Sequence, residues 1–186
     1  MRPRILRASP RPGRHVLVYL RKFGPPGVMD ALRKIERPTI VYGLGERPPE
    51  RNLTFKAIHE QSFVDDLASS EALLTTAGNQ IVGEALYLRK PVLAMPEANN
   101  FEQRINAHFL AESGAGEQVQ LEECDHHHIS RFRERVSEFR RVQDPNQLDG
   151  SRAAAAEIER QLERLGCPIP EPRFVEIPPE SARRAS

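Results

Sequence analysis

The stretch from Ala72 to Gly116, ALLTTAGNQIVGEALYLRKPVLAMPEANNFEQRINAHFLAESGAG, decides how this chain is read. Ala72–Thr76 is short and mostly apolar, which signals a buried strand. Ala77 and Gly78 break it. Gln80–Arg89 then sets Ile81, Val82, Ala85, Leu86 and Leu88 at helical spacing. Pro91–Met95 is a second strand stopped by Pro96, and Phe101–Ser113 is a second helix ended by Gly114. Strands that alternate with helices predict a mostly parallel sheet covered on both faces.

The same alternation continues outward. Upstream, His15–Leu20 and Thr39–Leu44 read as strands and Leu53–Ile58 as a possible third, with short helices at Val28–Ile35 and Asp65–Ser70. Downstream, Glu117–Leu121 is a short strand, and Asp125 suits the start of a helix carrying Ile129, Phe132, Val136 and Phe139. Ser151–Leu165 is a last, Ala-rich helix. The expected class is α/β, a Rossmann-like doubly wound sheet, whose ligands sit at the carboxyl ends of the strands. That directs attention to the loops after Leu20, Leu44, Ile58, Thr76 and Met95.

Proline marks the expected edges. Pro3, Pro10 and Pro12 punctuate residues 1–14, read as a basic linker with Arg2, Arg4, Arg7, Arg11 and Arg14. Pro168, Pro170, Pro172, Pro178 and Pro179 mark residues 167–186 as a tail, leaving 15–166 as the domain. The basic start fits a solvated linker or contact with an acidic membrane surface.

Composition excludes several classes. Over 186 residues, 27 Lys+Arg against 26 Asp+Glu give a net charge of +1, which argues against nucleic-acid binding by bulk charge. No apolar run approaches the ~20 residues of a membrane span, and no apolar segment follows the basic start as in a secretory signal. Cys124 and Cys167 have no CxxC spacing, so no disulfide framework or zinc ribbon is expected. A cytoplasmic domain is the expectation, with peripheral contact at a membrane as the alternative.

The strand-to-helix turn at Ala77–Gly78 is the first candidate for chemistry. Small residues there let a ligand approach the backbone, and the following helix start offers free N–H groups to a phosphate; a simple tight turn needs the same residues. Asn79 and Gln80 add side-chain donors. Glu84, within the first two helical turns, could accept hydrogen bonds from two vicinal hydroxyls or simply face solvent. Glu102 and Gln103, in the first turn after Pro96, could bond sugar hydroxyls, or serve the helix dipole and the surface. In Glu122–His128 (EECDHHH), three consecutive histidines at a helix entry point in three directions and cannot easily share one ion. Asp65–Asp66 begins a predicted helix and fits capping better than metal binding, so no metal or other cofactor is expected.

Thr75–Gly116 resembles the donor-binding half of GT-B glycosyltransferases. Thr76, Gly78, Glu84, Pro91, Pro96, Gln103, Asn106, Ala107, Gly114 and Gly116 fall in step with that pattern. Within the group the likeness is to the family 28 C-terminal domain, which includes the N-acetylglucosaminyltransferase that makes lipid II. Phe63–Leu67 (FVDDL) is similar to the segment that holds the uracil ring there. The resemblance implies that Phe63 and Val64 line a base pocket, that Glu84 holds the ribose, that Gly78, Asn79 and Gln80 face the diphosphate, and that Glu102 and Gln103 face the sugar. The loop after the first strand departs from the family's Gly-Gly-Ser cradle, reading LRKFGPPG over Leu20–Gly27. Arg21 and Lys22 could neutralise phosphate instead, or be surface charges.

The resemblance implies a nucleotide-sugar substrate, a UDP-hexose or UDP-N-acetylhexosamine, and a hexosyl transfer that is inactive without an acceptor-binding N-terminal domain or subunit. No catalytic base is nominated. Three other readings stand beside it: a non-catalytic nucleotide-sugar module or truncated fragment, a GT-B-like epimerase, and a doubly wound domain sharing the fold only.

Overall fold

The computed structural model describes residues 1–21, 24–144 and 150–166. The chain divides into two compact units, Met1–Asp149 and Gly150–Ser186.

The first unit is built on a seven-stranded sheet: β1 (Val16–Tyr19), β2 (Thr39–Tyr42), β3 (Arg47–Glu50), β4 (Leu53–Lys56), β5 (Ala72–Thr75), β6 (Val92–Ala94) and β7 (Gly116–Gln118). The strand order is β3-β4-β2-β1-β5-β6-β7, all parallel except the β3–β4 pair. The helices are α1 (Pro3–Arg7), α2 (Pro26–Lys34), α3 (Glu60–Ala68), α4 (Asn79–Tyr87), α5 (Phe101–Glu112), α6 (His126–Glu134) and α7 (Val136–Arg141), with a 3₁₀ turn at Leu121–Glu123.

The pleat sorts the core into two layers. Val16, Val18, Leu74 and Leu93 face α2, α6 and α7, whereas Leu17, Leu73 and Val92 face α1, α3, α4 and α5. The doubly wound α/β sheet read from the sequence is therefore present. Chain order runs outward from β1 through β2 to β4, then returns to β5 on the other side of β1. The topological switch point, where the loops diverge, lies between the carboxyl ends of β1 and β5. Gly43 closes the end of β2 at φ +92°; a Cβ there would stand 1.7 Å from the Leu20 carbonyl oxygen, so only glycine fits.

Several elements differ from the sequence reading. Arg47–Glu50, outside the strands read from the sequence, forms β3; its Pro48 and Pro49 are allowed because the strand lies at the sheet edge. The helix expected over Ile129–Phe139 is two helices, broken at Arg135, with Phe132 and Phe139 stacked at 5.6 Å across the break. α3 begins at Glu60, so Asp65 and Asp66 sit in its second half and do not cap it. Asp66 instead accepts hydrogen bonds from the Tyr42 hydroxyl at 2.7 Å and Lys56 Nζ at 2.6 Å.

The expected domain limits of 15 and 166 also differ from the observed division. Residues expected as linker carry α1, whose Ile5 is fully buried in the α3–α5 layer. The Arg11 N–H donates to the Ala68 carbonyl at 2.8 Å, and buried Lys90 donates to the Arg11 and Ser70 carbonyls at 2.8 and 2.9 Å. At the other end, α8 (Ser151–Arg164) falls in the second unit. It is amphipathic, with Ile158 and, just past its end, Leu165 exposed. The expected tail at 167–186 lies outside the described residues. Among the described residues, no helix is long and apolar enough to cross a membrane.

Candidate functional site

A cavity of about 580 Å³ opens at the switch point. It is lined by Arg2, Tyr19, Ile58, Glu60, Phe63, Gly78, Asn79, Gln80, Ile81, Glu84 and Glu102. Its walls come from the ends of β1, β4 and β5 and from the starts of α3, α4 and α5, where a doubly wound fold holds its ligands.

The turn between β5 and α4 shapes the cavity floor. Ala77 takes the left-handed backbone conformation at φ 62°, and Asn106 Nδ2 donates to its carbonyl at 3.0 Å. Gly78 is the residue before the helix, in extended conformation at φ −62° and ψ 137°, and no side chain caps α4. A Cβ at Gly78 would meet only Ile81 Cγ2, at 3.8 Å. Neither backbone strain nor crowding requires glycine here; its absent side chain keeps the helix start open to the cavity. Asn79 and Gln80 are exposed there.

Glu84 lies one turn further along α4, and its side chain is 1% exposed. Arg2 grips it with both ends of the guanidinium, Nε to Oε1 at 2.6 Å and Nη2 to Oε2 at 2.5 Å. Gln80 Nε2 also donates to Oε1, at 3.0 Å. The hydrogen bond to Glu84 raises the Arg2 guanidinium above its ordinary value. Arg2 also stands 5.8 Å from the Phe63 ring centre. Phe63 itself is set by edge-to-face contacts with Tyr19 and Tyr42, at 5.9 and 5.2 Å.

Six residues singled out from sequence therefore meet at one cavity: Phe63, Gly78, Asn79, Gln80, Glu84 and Glu102. Val64 does not join them; it follows Phe63 on α3, points into the core and is 2% exposed. Gln103 is likewise turned inward, its Oε1 accepting the Glu97 N–H at 2.9 Å while its own N–H caps onto Asn100 at 3.2 Å. Arg21 is exposed and does not line the cavity, and Lys22 lies outside the described residues. The sequence reading missed Arg2, Tyr19, Ile58, Glu60 and Ile81. Ile58 and Tyr19 follow from strand ends, but nothing local signals that Arg2 reaches Glu84 across 82 positions.

The histidine run behaves as a helix start. Asp125 Oδ1 accepts the His127 and His128 N–H groups at 3.0 Å each, and His128 returns a contact to the Asp125 backbone. Among the described residues, no group of three His, Cys, Asp or Glu side chains gathers as a metal site.

A seven-stranded doubly wound domain with its cavity at the switch point has the architecture of one half of a GT-B glycosyltransferase. Residues 1–137 match the model of glycosyl transferase family 1, and the chain belongs to that family. The match includes residues 1–14, in keeping with the buried Ile5. Among solved structures, the chain is similar to the calicheamicin glycosyltransferase (23% identity, TM-score 0.59, 84% of this chain and 44% of that one). It is also similar to a glycosyltransferase from Streptomyces nogalater (14%, TM-score 0.57, 85% and 44%). A third is a protein from O. sativa in complex with UDP (18%, TM-score 0.57, 75% and 36%). At these identities the likeness is one of fold, and this chain spans less than half the length of each. No curated protein matches the sequence.

Proposed function

We propose that the chain binds a nucleoside diphosphate sugar in the switch-point cavity and presents it for transfer to an acceptor held by a second domain or subunit. The observation that carries this reading is the convergence of Phe63, Gly78, Asn79, Gln80, Glu84 and Glu102 on one cavity. An aromatic ring, an uncapped helix start and a buried carboxylate suit a base, a diphosphate and a ribose in that order. Uridine is the proposed base; the likeness of Phe63–Leu67 to the lipid II enzyme supports it, as does the UDP complex of the O. sativa structure. Glu102, exposed at the start of α5, faces the sugar in this proposal.

The proposed reaction is displacement at the anomeric carbon of a hexosyl or N-acetylhexosaminyl group, with the nucleoside diphosphate leaving. The open amides and positive dipole end of α4 would oppose the charge growing on the diphosphate. The acceptor and the base that deprotonates it are assigned to the second domain, since the matched structures are about twice as long. Contact of the basic N-terminal segment with a membrane surface stays a subsidiary proposal, narrowed by the intramolecular partners of Arg2 and Arg4.

Calorimetric titration with UDP, UDP-N-acetylglucosamine and ADP tests the binding step. Uridine ligands are expected to bind in the micromolar to millimolar range. Glu84→Ala is expected to weaken them by about 100-fold, the loss of two hydrogen bonds to a charged group. A variant that binds UDP as tightly as wild type would sink the assignment. Full glycosyl transfer by the purified chain alone would sink the requirement for a second domain.

A further inference from the structure

We propose that Arg2 guards Glu84, so that a nucleoside reaches the carboxylate by displacing the guanidinium; this rests on the nucleotide reading above. A carboxylate offers about four acceptor positions. On Glu84 three are taken, two on Oε1 by Arg2 and Gln80 and one on Oε2 by Arg2. The side chain lines the cavity yet is 1% exposed, whereas Arg2 above it is 31% exposed. A ribose diol that donates both hydroxyls to Glu84 exceeds the one position left, so a bond now made by Arg2 or Gln80 must give way, and Arg2 holds two of the three.

The guard is anchored. Ile5 is fully buried, the Arg4 guanidinium pairs with Glu60 at 3.0 Å, and Arg11 and Lys90 tie the following backbone to the end of α3 and to Ser70 in the loop before β5. Gly13 fits against the Ser69 carbonyl, where a Cβ would stand at 1.4 Å. The segment delivers Arg2 to the cavity as a built part of the domain. The device is also economical in charge. Among the described lining residues Arg2 is the cation, against the carboxylates Glu60, Glu84 and Glu102. With Arg2 in place, the buried Glu84 charge is compensated while the cavity is empty.

Uridine, which lacks phosphates, isolates this competition from any contact between Arg2 and a diphosphate. Titration of the full chain with uridine and with UDP is compared in wild type, Arg2→Gln and Arg2→Lys, with folding checked by circular dichroism. Uridine is expected to bind Arg2→Gln about tenfold more tightly than wild type, the worth of one charge-assisted hydrogen bond no longer given up. Arg2→Lys keeps the charge, loses the planar fork and is expected to fall between. If Arg2→Gln is poorly folded, the ¹⁵Nε signal of Arg2 in wild type decides: it is expected to shift from its paired position as uridine is added. Uridine affinity unchanged or weakened in a folded Arg2→Gln, or an Arg2 signal unmoved at saturation, overturns the guard while UDP binding keeps the nucleotide reading. Absence of both ligands from all three proteins overturns the two together.

Discussion

Two helix starts in this molecule solve the same problem in opposite ways. α6 begins with Asp125, whose carboxylate accepts two of the free N–H groups and completes a capping box with His128. α4 begins with Gly78, which offers no side chain at all. Both are strand- or turn-to-helix junctions, and both helices are nine residues long. The difference is where they lie. α6 starts at the surface, where uncapped amides would only lose stability, whereas α4 starts on the cavity floor. An open helix start in a cavity is a place for an anion; a capped one is a finished end.

The comparison can be inverted. Gly78→Asp gives α4 the cap of α6. The φ of −62° and the open Cβ space admit it without strain. Stability is expected to rise by a few tenths of a kcal/mol. UDP binding is expected to fall by about 100-fold or more, because the new carboxylate takes the amides and repels the diphosphate. Thermal melting and calorimetry on one sample read both effects. If Gly78→Asp bound UDP normally, the helix start would not be the anion site.

The reciprocal change, Asp125→Ala, is expected to lower the melting temperature and leave UDP affinity as in wild type. The Asp125 carboxyl is held down to about 2, first by the hydrogen bond from the His128 backbone N–H. Its folded value lies below the unfolded one of about 3.9. The contribution is therefore present above that range and lost as pH falls toward about 2. An acid-unfolding curve for Asp125→Ala should converge on wild type at the acid end.

The smallest expected effect concerns the segment that carries Arg2. Burial, with the nearby charges of Arg140 and Arg11, pushes the Lys90 ammonium down to about 8. The unfolded chain holds that proton up to about 10.4. Between these values the unfolded state binds more protons, so the Lys90 contribution to stability rises with pH. Urea midpoints at about pH 7 and about pH 10 should show this rise in wild type, and Lys90→Met should lack it.

Much of the architecture was readable from local pattern. The apolar strands, the helices and the turn at Ala77–Gly78 depend on neighbours within a few positions, and those stand in the sequence. Glu84 follows Gly78 along one helix, so its place beside the turn was fixed by helical geometry. Adjacent residues were less secure. Phe63 and Val64 are both buried in the same core layer, but successive positions on α3 point about 100° apart, and of the two only Phe63 also lines the cavity. Gln103 was drawn inward by the Glu97 N–H, a bond that depends on how the loop after β6 folds back.

The sequence by itself determined the class of sheet, the turn that opens the α4 helix start and the carboxylate beyond it, because periodicity and glycine placement act over short distances. Only the tertiary structure decided that residues 1–14 belong to the domain and that Arg2 meets Glu84. That contact joins positions 82 apart, and it exists because Ile5 finds a place in a core that many separate segments build together.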